Sequence, residues 1–459
     1  MARDRLSRVI FAGLVATVAL APLPFASNRP WSWSVLSLTV GGLLVLWALA
    51  AWRDPRALGV AWRHSRFYVV GFAALVAWIL FQASPFAPEA WHHPLWREAA
   101  GALAAPPAGA ISLDPQATLT ALMRLLAYAG VFWLAFQLGR EPNSARVAVW
   151  SVALAGLAYS VYGLVVEFGR LDSILWYERW AYRESLTSTF INRNSFATYA
   201  GIALTATLGL LVDLLRHAPP LLSRAGARFL IGGLAGRLGL LAVMALAIGS
   251  ALLLTDSRGG LVSALVGLLV LAGGFSLHRG ARPGPAVATL AGVLLFAVAI
   301  LALSGETTLA RLGKTLIEAE ERPAVYALVW RGITDNPWLG AGYGTFEAAF
   351  PLIRDTTIRG DLIYDKAHNS YLEFAFEAGV PAFALMLALL AGLARRCVAG
   401  VWSRRRDRLA PCVGLAATAL VATHALVDFS LQIPAVAVTY ALVLGVGCAQ
   451  SWSSREPDS

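Results

Sequence analysis

Charge is what this sequence has least of. Only 14% of its 459 residues are charged, against about 25% in a soluble globular domain, too few to cover a chain of this length with a water-facing surface. Cysteine is nearly missing as well: Cys397, Cys412 and Cys448 offer neither a disulfide framework nor the spacing of a metal site. No internal repeat recurs at a fixed period, so an inverted-repeat transporter has no support in the sequence. A phosphate loop is also lacking. The one glycine-rich stretch, Gly340-Ala341-Gly342-Tyr343-Gly344, has neither the Lys-Ser/Thr ending nor a preceding strand and reads as a tight turn, which argues against an ATP-driven pump.

What is present is apolar. Hydrophobic residues make up 58% of the chain, with a mean hydropathy of +0.63, which excludes a disordered or fibrous protein. Runs of spanning length fall near 8–26, 33–52, 67–84, 117–138, 146–168, 195–215, 238–256, 259–277, 285–303, 380–395, 410–428 and 432–450, at roughly 20 residues per crossing. They predict an all-α polytopic membrane protein of about twelve transmembrane helices. The first run follows Arg3, Arg5 and Arg8 without a clean cleavage site and reads as a retained helix.

The net charge of +10 orients these helices and does not imply nucleic acid. With the N-terminus inside, alternate loops hold 22 of the 37 basic residues and 7 of the 27 acidic ones, leaving the outer side net negative. The positive-inside rule selects this arrangement, with both termini cytoplasmic. Trp31, Trp33, Trp176 and Trp180 fit an aromatic belt at the outer boundary. The expected organisation is helices 1–9 over 1–303, an outer helical cap loop over 304–379, helices 10–12 over 380–451, and a cytoplasmic tail at 452–459. Within the cap, 307–320 and 322–334 read as amphipathic helices, followed after the glycine turn by an apolar-periodic Phe346–Ile353.

Three helix starts on the outer face share an oddity. A helix N-terminus already carries positive potential and favours acids or neutral caps; Ser112, Asp114 and Pro115 make such an ordinary start. The starts Asn192-Arg193-Asn194-Ser195, Asp256-Ser257-Arg258-Gly259-Gly260 and His368-Asn369-Ser370 instead add a basic or titratable group. That is mildly unfavourable until an anion arrives, when helix N-terminus and guanidinium together bind phosphate oxygens well. The plain alternatives are arginines reaching for lipid headgroups or Arg258 pairing with Asp256. His368, among Asp365, Lys366, Glu373 and Glu377, suits a general base or a surface histidine at a cap. His424 and Asp428 are expected four apart on one helix face, paired with each other. Tyr326, Trp330, Arg331 and Trp338 suit either sugar stacking or packing of the cap.

These segments, with Asn336-Pro337-Trp338-Leu339-Gly340-Ala341-Gly342, Ala367-His368-Asn369-Ser370-Tyr371-Leu372-Glu373 and Asp428-Phe429, resemble the O-antigen ligase and polymerase family of bacterial envelope glycan assembly. The resemblance covers roughly 185–450. It implies a C-type glycosyltransferase-like fold in the inner membrane and a donor glycan on undecaprenyl diphosphate at the periplasmic face. The acceptor it implies is another glycan or lipid A core. It also implies that Arg193 and Arg258 contact the diphosphate while His368 assists the acceptor hydroxyl, in an inverting transfer. Asn192, Asn194, Ser257, Gly259, Arg322, Asn369, Glu373 and Asp428 are the candidate binding residues around them. No Asp-x-Asp pair stands at an outer helix end, so neither metal nor cofactor is expected. Ala382 follows Gly379-Val380-Pro381 where the family's ligases commonly have Gly, which leaves polymerase and ligase both open. A lipid-linked glycan flippase or other secondary transporter is the alternative.

Overall fold

A computed structural model describes residues 2–53, 62–103, 108–219, 223–234, 236–276, 322–358, 363–404 and 407–452. The run expected near 285–303 and the cap helix expected at 307–320 lie outside the described residues. The other eleven apolar runs are all helical. They are α1 (Ala2–Leu20), α2 (Pro30–Arg53), α3 (Trp62–Ala83), α5 (Pro115–Leu138), α6 (Pro142–Phe168), α7 (Arg193–Arg216), α9 (Arg237–Leu253), α10 (Arg258–Ser276), α14 (Val380–Ser403), α15 (Leu409–His424) and α16 (Pro434–Ala449). Seven of the described helices are long and apolar enough to cross a membrane, and the chain is a multi-pass membrane protein.

Local chemistry sets where these helices begin. Asp114 caps α5 by accepting from the Ala117 amide at 2.9 Å, with Pro115 in the first turn, where its missing N–H costs nothing. Pro142 and Pro434 open α6 and α16 in the same way. Two short helices, α4 (Leu95–Ala102) and α8 (Arg224–Leu234), have no counterpart among the spanning runs. Among the described residues the only strands are the two-residue pair β1 (Ser173–Ile174) and β2 (Tyr177–Glu178).

Helix α7 is the centre of the bundle, packed by α6, α9, α10 and α15, while α16 is buried along its whole length against α5 and α15. Small residues allow the close approach, since helices in lipid associate by packing and not by water exclusion. A Cβ on Gly260 would strike Ala197 of α7, and one on Gly156 would strike Ala203. By contrast α2 and α14 turn apolar faces outward, Leu38, Trp52 and Leu387 among them, as lipid-facing helices do.

The cap has a core of its own. A helix through 322–335, α11, and α12 (Phe346–Ile353) meet α13 (Ser370–Ala378) around Val325, Val329, Phe346, Phe350 and Phe376. The glycine turn locks this unit to the end of α13. Gly340, Gly342 and Gly344 all have positive φ; a Cβ on Gly340 would meet the Glu377 carbonyl and one on Gly342 the Ser112 side chain. The amides of Ala341 and Gly342 donate to the carbonyls of Phe376 and Glu377 at 3.0 and 2.9 Å. They therefore satisfy the otherwise unpaired carbonyls of a helix C-terminus, which makes the stretch a structural turn.

Candidate functional site

The three unusual helix starts converge through one buried carboxylate. Asn192 caps α7, its Oδ1 accepting from the amides of Asn194 and Ser195 at 2.8 and 3.2 Å. That cap turns the Asn194 side chain inward, where Nδ2 donates to Asp428 Oδ2 at 2.7 Å and Oδ1 accepts from Ser257 Oγ at 2.8 Å. Ser257 in turn accepts from the Gly260 amide at 3.1 Å, at the start of α10. Asn369 caps α13 with both the Tyr371 and Leu372 amides at 3.1 Å, and Ser370 Oγ donates to the Asp428 carbonyl at 3.0 Å. Asp428, 1% exposed, thus sits where α7, α10 and α13 begin.

Helix α15 ends at His424, so Asp428 lies in the following turn and not on the same helix face. The expected His424–Asp428 pair gives way to another. His368 Nδ1 stands 3.7 Å from Asp428 Oδ2, and its ring lies edge-to-face against Phe429 at 5.0 Å. Burial pushes the Asp428 carboxyl up, but His368, His424 and the Phe429 amide outweigh it and hold it below its usual value. A carboxylate beside Nδ1 fixes the imidazole and leaves Nε2 as the acceptor. His424 instead lies buried beneath Gly259, with neither ring nitrogen hydrogen-bonded among the described residues.

His368 and Asp256 share a backbone feature. Both have left-handed φ, +52° and +53°, and each immediately precedes a capping residue, Asn369 or Ser257. Such conformations are uncommon for non-glycine residues and concentrate at functional sites.

The arginines occupy different settings. Arg193 Nη1 donates to Ser185 Oγ at 3.3 Å, and Ser185 donates onward to Asp256 Oδ2 at 3.3 Å; the guanidinium also lies over the Tyr182 ring at 5.4 Å. Arg258 is exposed at the first position of α10. No hydrogen bond or ion pair holds its side chain among the described residues, so the alternative pairing with Asp256 does not form. Arg322 donates to the Val427 carbonyl at 3.1 Å, tying the cap to the turn that carries Asp428.

Glu373 serves the loop and not the cluster around Asp428. Its Oε2 accepts from the Ala367 amide and its Oε1 from Gln432 Nε2, both at 2.8 Å, with Lys366 Nζ at 3.9 Å from Oε1. It therefore grips the backbone just before His368. Burial raises its pKa against the pull of Lys366. Burial and the Glu373 carboxylate push Glu377 up to about 8, and its Oε1 accepts from the Phe346 amide at 2.9 Å. Both glutamates line a mostly apolar cavity of about 1040 Å³ between α3, α5, α14 and α16, with Arg124, Lys366 and Gln432 among its polar walls.

Four contributors give no signal in the sequence. Gln82, fully buried, donates to the carbonyls of Leu339 and Glu377 at 2.7 and 3.0 Å. Gln432 orients Glu373, Ser185 bridges Arg193 to Asp256, and Ser430 meets Thr198 at 3.1 Å. Their contacts join segments well apart in the sequence, for which no spacing rule exists. Among the described residues no three His, Cys, Asp or Glu side chains come close enough together to hold a metal ion.

Residues 240–387, which include Arg258 and His368, match the family model for O-antigen ligase. This segment of the chain is an O-antigen ligase family domain. The matched segment takes in α10, the described cap and α13, and the Ser257–Asn194 and Ser370–Asp428 hydrogen bonds tie it to the start of α7 and to the turn after α15, which lie outside it. No curated protein matches the chain. The family supports a membrane enzyme of the O-antigen ligase or polymerase type that takes a lipid-linked glycan and an acceptor.

Proposed function

We propose that this enzyme transfers a glycan from undecaprenyl diphosphate to a hydroxyl of a second glycan or of lipid A core, at the periplasmic face of the inner membrane. The observation that carries the reading is the meeting of His368 with Asp428 at the point where α7 and α10 begin with Arg193 and Arg258.

In this reading the acceptor hydroxyl gives its proton to His368 Nε2 while Asp428 steadies the imidazolium. The acceptor oxygen bonds to the anomeric carbon, and the bond from that carbon to the diphosphate oxygen breaks on the opposite face. The configuration inverts, and the lipid diphosphate leaves with the electron pair. Arg193, Arg258 and the positive ends of two helices stabilise the charge that grows on it. Exposed, and with no partner among the described residues, Arg258 is available to that anion. The apolar cavity suits the hydrocarbon tail of a lipid substrate.

The test is incubation of purified protein with a short undecaprenyl-diphosphate glycan, with and without candidate acceptors. Ladder growth without added acceptor indicates a polymerase, and a single shift with lipid A core indicates a ligase. Movement of the glycan lipid across a vesicle bilayer with no new glycosidic bond would instead identify a flippase.

A further inference from the structure

At the other end of α7, some 35 Å along the helix from Arg193 at 1.5 Å per residue, lies a second cationic site that the proposed transfer does not use. Arg408 is only 2% exposed, yet Nε and both Nη atoms find no hydrogen-bond acceptor among the described residues. It stands at the N-cap of α15, where the helix already supplies positive potential and a guanidinium is unfavourable. Arg216, in the last turn of α7, acts on it electrostatically and offers only repulsion. The Arg216 guanidinium faces the Phe275 ring at 5.3 Å, and no ion pair holds it among the described residues. The acids close by are committed elsewhere: Asp213 takes Arg146 at 2.8 Å, and Asp407 lies 4.0 Å from the same arginine.

A buried charge without a counter-ion is among the costliest arrangements in a protein. A buried guanidinium at a helix N-terminus, with no acceptor among the described residues, offers the chemistry that binds phosphate oxygens. We infer that Arg408, Arg216 and the first turn of α15 bind a phosphate group at the end of the bundle opposite His368, carried by an anionic lipid headgroup or as free phosphate.

The test uses full-length protein in neutral detergent. Native mass spectrometry measures retention of phosphatidylglycerol against phosphatidylcholine, and thermal unfolding is followed with each lipid and with inorganic phosphate alone. Wild type is expected to keep phosphatidylglycerol selectively, and Arg408→Gln and Arg216→Gln to retain at least fivefold less. A rise in wild-type Tm with inorganic phosphate, together with displacement of phosphatidylglycerol, would make the ligand free phosphate; a rise with the lipid alone would make it a headgroup. Arg216 is partly exposed, so its variant tests the site even if Arg408→Gln fails to fold. Equal retention in wild type and a folded variant, or no Tm response to lipid or phosphate, would overturn the inference.

Discussion

Asn194 and Asp428, 234 residues apart in sequence, are joined by a 2.7 Å hydrogen bond from Nδ2 to Oδ2. Because Asn194 also accepts from Ser257, its one amide holds the starts of α7 and α10 against the carboxylate that faces His368. The starts of α7 and α10 and the carboxylate beside His368 are therefore joined through one side chain.

Asp428→Asn removes the charge opposite Nδ1 while keeping the size of the side chain. Loss of the orienting carboxylate is expected to lower the transfer rate by about 10²- to 10⁴-fold, with the protein still folded. Turnover of the purified variant, with its Tm as control, checks this. A rate within threefold of wild type would show that His368 does not depend on Asp428.

Arg258→Ala is expected to cost about 10²- to 10³-fold in turnover, with a stability change within about 0.5 kcal/mol, because an exposed side chain with no partner among the described residues contributes little to the fold. Arg258→Lys should recover only part of the loss, since an ammonium lacks the planar fork that meets two phosphate oxygens. Comparing both variants in one steady-state assay separates charge from geometry.

Glu377 gives a pH signature. Its carboxyl is pushed up to about 8 in the folded protein, against about 4.3 in an unfolded chain. Between these values the folded state keeps a proton that the unfolded state has released. Stability is thus full below the unfolded value and is lost as pH rises through about 8, by at most about 1.4 kcal/mol per unit. Glu377→Gln should flatten the decline in Tm between pH 5 and about 8, leaving the contribution of Glu373, which has the same sign.

Gly342→Ala tests the turn that fixes α13. With φ at +107° and the Ser112 side chain where a Cβ would go, the change should cost about 1–3 kcal/mol in backbone strain, with added steric conflict. It should also lower activity by loosening the helix that carries Asn369. A Tm unchanged from wild type would contradict this role of the turn.

Much of this was legible in the chain. The apolar runs mark the helices because a crossing needs about 20 such residues, and Asn192, Asn369 and Ser257 are legible as caps because short polar side chains serve free amides. Two kinds of feature were not. The short helices α4 and α8 are below the length at which hydropathy speaks. Gln82, Gln432 and Ser185 matter only through contacts between segments distant in sequence, for which a single chain offers no spacing rule. The His424–Asp428 spacing misled for a related reason: an i, i+4 interval has meaning only while the helix continues, and α15 stops at His424.

The most direct measurement is glycan transfer from a synthetic undecaprenyl-diphosphate donor by purified wild-type protein and by His368→Ala, in excess EDTA. We expect wild-type turnover to persist in EDTA, with inverted configuration at the new linkage, and the variant to lose at least about 10²-fold, as for removal of a general base. Abolition by EDTA, a retained configuration, or near-wild-type turnover by the variant would contradict the account.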